Sequence, residues 1–250
     1  MTDLLQRLLP NARRGSKPHC HFLTHEVPHV TATRLTELAA PFASVTDDDC
    51  WLPLGFEDCR EAQLHKTSKL LPPDVAGTLR KWWLAPASER AMTPNFDVAS
   101  TCTVEGTTSR GLLLVEAKAH DKELSMEAVG RRLQSNSSEA RKASHGRIGG
   151  AIEEARLGLE RETSLPWKIS RDSTYQMSNR FAWMWKLADL GVPVVLIYLE
   201  FLQADEMTDR GSPFADHSEW ERLVLTAPTS SNKVEPDTSA TDFRAPEQRP

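Results

Sequence analysis

The feature that most limits what this chain can fold into is residues 192–199, a run free of charged residues in which Val194, Val195, Leu196, Ile197, Tyr198 and Leu199 follow one another. Eight residues fall far short of the roughly 20 that cross a bilayer as a helix, so no membrane-spanning segment is expected. An apolar, β-branched run without alternation reads instead as a strand buried on both faces. Such a strand needs a layer of structure on each side, and the chain must therefore build a helix-covered sheet. Its 250 residues, 39% of them hydrophobic, are enough for one sizeable core or two small ones. Leu4, Leu5, Leu8 and Leu9 are interrupted by Gln6 and Arg7 and stopped by Pro10, which leaves no signal-peptide segment. The four cysteines, at 20, 50, 59 and 102, contain no CxxC pair and read as reduced thiols of a cytoplasmic protein.

Before that run, Ser173 and Gln176 have capping-box spacing and Met177, Phe181, Met184, Trp185 and Ala188 recur at helical intervals. With Gly191 as C-cap, the pattern predicts a helix over 174–190. Earlier still, Phe96, Val98, Ser100, Cys102 and Val104 alternate with smaller or polar residues, and Leu112, Leu113, Leu114 and Val115 lead into Glu116, Ala117 and Lys118. The turn-rich segment between them predicts an antiparallel hairpin, and a constant residue sum of 213 or 215 places Asp97 on the face of Glu116 and Lys118. A sum of 213 puts a two-residue loop at Gly106 and Thr107. Residues 120–164 are polar and helix-prone, one or two helices plus a loop. The first 90 residues read as helices over 33–40 and 58–71, and a further one opened by Pro72 and Pro73 that runs through Trp82 and Trp83.

These elements predict an α/β protein with a restriction-endonuclease-like core, its mixed central sheet flanked by helices. A helical N-terminal region occupies 1–90 and the core 91–225, with a helical insertion at 120–170. Ser218 and Glu221 have capping-box spacing for a last short helix, and residues 226–250, with four prolines and one aromatic, read as a disordered tail. The net charge of −5 is uneven, because residues 200–250 hold 11 acidic and 5 basic side chains, leaving the body close to neutral. Charge alone neither excludes nor indicates a nucleic-acid partner.

The chemistry concentrates on the hairpin. Side chains at i and i+2 of a strand share a face, so Glu116 and Lys118 project together, and Asp97 joins them in an odd register. Two hard carboxylates and one fixed cation at the end of an apolar strand are what magnesium-dependent phosphodiester hydrolysis needs. Charged residues that directly continue a buried strand are costly unless paired or used.

Asp97, a spacer of 18 residues and then Glu116-Ala117-Lys118 resembles the PD-(D/E)XK nuclease superfamily. The amphipathic helix and apolar strand that follow look like the rest of that family's core, so the resemblance covers about residues 94–202. It implies a metal-dependent deoxyribonuclease, most simply an endonuclease. Asp97 and Glu116 would hold magnesium or manganese, Lys118 would assist catalysis, and Gln176 would be a helix-borne catalytic residue. The Pro-Asp pair is spread here over Pro94-Asn95-Phe96-Asp97, and for the acidic residue of the family's first helix Glu57 and Glu61 are the candidates. The alternative is a catalytically inactive module that keeps the fold to bind nucleic acid or a partner.

Arg131, Arg132, Arg141, Lys142 and Arg147 could line a DNA path, since phosphate contacts come mainly from Arg and Lys. Arg180, in a polar patch with Tyr175, Gln176 and Asn179, could add to it. The bland account of the same residues is a solvated helix face. His25-Glu26-Val27-Pro28-His29 matches the zinc-peptidase pattern by letter, but Pro28 inside the required helical turn breaks it. Asp47, Asp48 and Asp49 read as a solvated acidic loop.

Overall fold

A computed structural model describes residues 2–85, 92–125 and 129–226. The expected tail lies outside the described residues from position 227 onward. Eight helices and five strands are described: α1 (Thr2–Leu5), α2 (Ser16–Leu23), α3 (Pro28–Ala39), β1 (Ala43–Ser44), β2 (Trp51–Leu52), α4 (Pro73–Trp83), β3 (Val98–Val104), β4 (Arg110–Lys118), α5 (Asp121–Ser125), α6 (Glu139–Thr163), α7 (Tyr175–Asp189), β5 (Val194–Glu200) and α8 (His217–Thr226). The protein is mixed α/β, with a curled mixed sheet flanked by helices. Among the described residues no helix is long and apolar enough to cross a membrane.

The sheet runs in the order β1, β3, β4, β5, with β2 also on β3. β3 and β4 pair antiparallel with Val98 opposite Val115 and Ala99 opposite Leu114, the predicted sum of 213. The loop between them is longer than two residues. Thr107 N–H donates to the Val104 carbonyl, so the turn centres on Glu105 and Gly106 rather than on Gly106 and Thr107. Gly106, at φ 74°, occupies the third turn position, where a type II turn requires positive φ. β5 lies parallel to β4, Leu112 opposite Val194, and α6 and α7 occupy the crossover.

The alternation of the strands divides the core. Ala99, Leu112 and Leu114, with Leu196, face α4, α6 and α7, whereas Val98, Leu113, Val115 and Ala117 face Ala32, Leu35 and Ala39 of α3 and Cys20 of α2. β3 is buried on both faces because helices cover both sides. β5 differs from its prediction: all seven of its residues are only half-buried. Both faces are packed, but β5 pairs only with β4 in the sheet, and an edge strand keeps one side of its backbone open.

The N-terminal region is more than helical. β1 and β2 pair with successive parts of the same edge of β3, Ala43 opposite Val104 and Trp51 opposite Ser100, with residues 45–50 looped out between them. The helix expected over 58–71 does not form. Leu54 and Asp58 make an isolated bridge, Ala62 bridges Phe96, and only Leu64–Lys66 is helical, as one 3₁₀ turn. Other local signals hold. Pro28 and Pro73 each stand at the start of a helix, where a missing N–H costs nothing, and His25 therefore lies outside α3. α7 ends in a Schellman motif, with Gly191 N–H on the Ala188 carbonyl and Val192 N–H on that of Leu187. Its start is not a Ser173 box, because Thr174 takes the N-cap position and its hydroxyl pairs with that of Ser178. The last helix also begins differently. Asp216 accepts from Glu219 N–H, and Glu219 reaches back to Ala215 N–H, where Ser218 and Glu221 were expected to act.

Candidate active site

β3 and β4 part company at Asp97. Phe96 turns away to exchange both backbone hydrogen bonds with Ala62, at 3.0 and 3.2 Å. The ladder partner of Ala117 is thereby withdrawn. Odd-numbered residues of β4 direct their N–H groups at β3, since even-numbered Leu112 donates to Pro193 on the β5 side. The Asp97 carboxylate fills the gap, its Oδ2 accepting from Ala117 N–H at 2.8 Å. The residue that ends the ladder is thus held beside the next two charged side chains.

Glu116 and Lys118 continue the face of β4 that packs on α7. Glu116 is only 4% exposed and Lys118 5%. Lys118 Nζ lies 2.5 Å from Glu116 Oε1, and Arg180 Nε of α7 lies 2.6 Å from Oε2. The Arg180 guanidinium also binds the Asn179 side chain and stands 5.1 Å from the centre of the Phe96 ring. Burial pushes the Glu116 carboxyl up, but Arg180 and Lys118 outweigh it and hold the group below its ordinary value. Asp97 goes the other way. Burial, then the charge of Glu116, push it up to about 7, against the opposing pull of the Ala117 N–H and Lys118.

A third carboxylate belongs to this neighbourhood. Glu61 accepts from Asn95 at 2.8 Å and pairs with Lys17 at 2.8 Å, and its charge raises the Asp97 carboxyl further. The sequence named Glu61 only as one candidate for a helix acid, yet it lies on irregular backbone just before the Ala62 bridge. Lys17 and Asn95 carried no signal of their own, apart from the nearness of Asn95 to Asp97. Beyond Glu61 and Asn95 a cleft of about 920 Å³ extends past Gln63, Lys66 and Lys69.

The structure brings Asp97, Glu116 and Lys118 together and leaves other predicted residues apart. Gln176 lies one turn before Arg180 on α7, half-buried, and contributes none of the hydrogen bonds to Glu116. Arg180 is corrected from a surface phosphate contact to the buried partner of Glu116. Arg131 is half-buried, donating to the Tyr175 hydroxyl at 2.7 Å. Arg147 donates to the Trp82 and Lys81 carbonyls and so caps the end of α4. Lys142 pairs with Glu139, and Arg132 and Arg141 are exposed. Among the histidines and cysteine between positions 19 and 29, His21 is buried against the Gly55 carbonyl at 3.0 Å and His25 packs edge-on against Phe56. Asp49 is not a solvated loop residue, since it accepts from Thr101, Arg110 and Thr46.

Among the described residues no group of three or more His, Cys, Asp and Glu side chains is arranged to hold a metal ion. Magnesium does not require one, because it keeps several waters and commonly takes one or two carboxylates plus a substrate phosphate. Two neighbouring carboxylates, one of them raised by burial and then by the charge of the other, match that donor chemistry. The fit has a condition: each oxygen of Glu116 already holds a cationic side chain, so ligation there needs Lys118 to move or to share. Comparison of the chain with known protein families, curated proteins and solved structures finds no match.

Proposed function

We propose that the protein is a divalent-metal-dependent nuclease that hydrolyses DNA phosphodiester bonds, with Asp97, Glu116 and Lys118 at its centre. The observation that carries this reading is the placement of those three side chains where β3 and β4 separate, with Asp97 raised to about 7 beside Glu116. A carboxyl held against another carboxylate is a group whose ionised form the fold leaves under-compensated, and a cation supplies what is missing. The resemblance of Asp97 and Glu116-Ala117-Lys118 to PD-(D/E)XK nucleases, within a mixed α/β fold whose sheet is flanked by helices, supports the same reading.

Asp97 and Glu116 would hold magnesium or manganese, which when bound lowers the pKa of a water and neutralises charge on the phosphoryl group. Arg180 keeps Glu116 ionised and fixes its orientation through Oε2. Lys118, which pairs with Oε1, would orient the attacking water or donate to the phosphate oxygen that gains charge. Glu61, Asp97 and Glu116 are matched in number by Lys17, Lys118 and Arg180. With all three carboxylates ionised the side chains leave no net charge, and a bound divalent ion would supply the positive charge that attracts a phosphodiester.

The second reading, an inactive nucleic-acid-binding or interaction module, is favoured by one observation: Glu116 is buried with both oxygens already engaged. Circular and linear DNA incubated with and without magnesium separate the two. Magnesium-dependent cleavage that Lys118→Ala removes, with DNA binding largely kept, supports the enzyme. Binding without cleavage under either metal supports the module.

A further inference from the structure

A cavity of about 550 Å³ opens where the N-terminal segment, the start of α5 just after β4 and the loop that follows β5 meet, and Arg14, Lys17, Lys122 and Arg210 line it. Among the described residues one carboxylate, Glu123, lines it with them, and that group accepts the Ala119 N–H at 2.6 Å. Like charges gathered round a concavity repel unless an anion sits among them, and such a concavity concentrates anions. α2 begins at the same place. No side chain caps it by a hydrogen bond, and Ser16, its first residue, lines the cavity, so an anion there, in place of the Glu123 carboxylate that now lies against Gly15, would satisfy leading N–H groups of the helix. His120 lines it too. It is 5% exposed, and its Nδ1 has no hydrogen-bond partner.

The pair that now occupies Arg14 is replaceable. Arg14 holds Asp209 at the exposed surface, a kind of pair that contributes little. Arg210 makes no hydrogen bond or ion pair through its side chain among the described residues. The cavity also lies next to the candidate active site. His120 follows Lys118 by two residues, a distance of ~7 Å along a strand. Lys17 pairs with Glu61, whose charge acts on Asp97.

The geometry points to a phosphate subsite, in which Arg14, Lys17, Lys122 and Arg210, with Ser16 and His120, hold a phosphate of the DNA strand a short way from the bond presented to Asp97 and Glu116. Successive phosphates of one strand advance ~3.4 Å along a duplex, so the subsite takes a phosphate close to the scissile one. The identity of the ligand rests on the DNA-cleavage reading above. The existence of an anion site does not.

Binding to the full chain without added metal separates the two claims. The probes are a fluorescent single-stranded oligonucleotide ending in a 5′-hydroxyl, the same oligonucleotide with a 5′-phosphate, and inorganic phosphate as competitor. The double variant Lys122→Ala with Arg210→Ala is expected to bind both oligonucleotides at least tenfold more weakly. Its plot of log affinity against log salt should be shallower by about 0.7, the loss of one single-strand phosphate contact. Equal affinity for the two ends assigns the site to an internal diester, and a preference for the phosphorylated end assigns it to a terminus. An unchanged salt slope in the double variant overturns the subsite, even if magnesium-dependent cleavage is observed. Saturation by inorganic phosphate with no effect on oligonucleotide binding overturns its assignment to DNA. Absence of cleavage with the expected change in slope leaves the subsite standing and removes the nuclease reading alone.

Discussion

The two ends of the β3–β4 hairpin each hold an aspartate out of bulk water, and they treat it in opposite ways. Near the turn, Asp49 from the looped-out segment accepts from the Thr101 hydroxyl at 2.6 Å, from Arg110 at 2.7 Å and from the Thr46 backbone at 2.9 Å. Burial pushes its carboxyl up, but these hydrogen bonds outweigh it and hold it below the usual carboxylate value. At the open end, Asp97 has a single backbone donor and two carboxylates for neighbours, and it rises to about 7. Both side chains tie irregular backbone to the sheet. Only Asp49 is fully satisfied by doing so, and on the proposed function the difference separates a structural carboxylate from one held for a ligand.

The sharpest way to break that comparison is Asp97→Asn. On the proposed function it abolishes magnesium-dependent cleavage, while the amide oxygen can still accept from Ala117 N–H. The folded carboxyl titrates near 7 against an ordinary 3.8, so the folded state binds this proton more tightly than the unfolded chain does. The wild type thus loses stability as pH rises from about 4 through 7, and the variant does not lose that contribution. Denaturation at pH 8 should find Asp97→Asn equal to or more stable than wild type, by up to a few kcal/mol. Magnesium affinity of the wild type should weaken about tenfold per pH unit below 7, because ligation requires the ionised carboxylate. Retained cleavage in the variant would falsify the site, and a pH-independent magnesium affinity would remove Asp97 from the ligand set.

Arg180→Met tests the partner that keeps Glu116 from sharing the fate of Asp97. Removing one member of a buried, hydrogen-bonded pair is expected to destabilise the fold by about 3–5 kcal/mol. Chemical denaturation at pH 7 gives the number. A loss below about 1 kcal/mol would mean that Arg180 is a surface residue after all, as its helical polar patch first suggested.

What the sequence made legible, and what it did not, follows the reach of each interaction. The residue sum of 213 came out correctly because hairpin register depends on two adjacent strands and the face their apolar residues choose. Pro73 and Gly191 mark helix ends through their own backbone chemistry. The helix expected over 58–71 failed because the backbone at Ala62 is claimed by Phe96, more than 30 residues away, a pairing that no local pattern records. The half-burial of β5 is a matter of which strand ends the sheet, and composition does not record that. At the site, Asp97, Glu116 and Lys118 were readable from spacing. Arg180 was misplaced because a polar residue on a helix gives no sign of whether its face meets solvent or a buried carboxylate.

At the turn end, Thr101→Val removes the hydroxyl that donates to Asp49 and accepts from Cys50 N–H at 3.0 Å. The shape is kept and two hydrogen bonds are lost, so the expected cost is about 1–3 kcal/mol, with no change in any metal-dependent activity. A thermal melt and a cleavage assay on the same preparation check both halves. Loss of activity without loss of stability would show that the two ends of the hairpin are coupled.

Arg110→Ala should have the smallest effect, although Arg110 is the cation of Asp49 as Arg180 is that of Glu116. The Arg110 side chain is 56% exposed, against 11% for Arg180, so water replaces most of what the ion pair provides. Asp49 also keeps its donors from Thr46 and Thr101. The expected loss is below about 1 kcal/mol and shrinks further in high salt. Because Asp49 is held below its ordinary value, whatever it contributes is present above pH 3.8 and fades as pH falls through its folded pKa. The difference between wild type and Arg110→Ala should therefore narrow on acidification, measured by urea denaturation between pH 7 and pH 3. A loss as large as that of Arg180→Met would show that position along the hairpin, and not solvent exposure, sets the value of each pair.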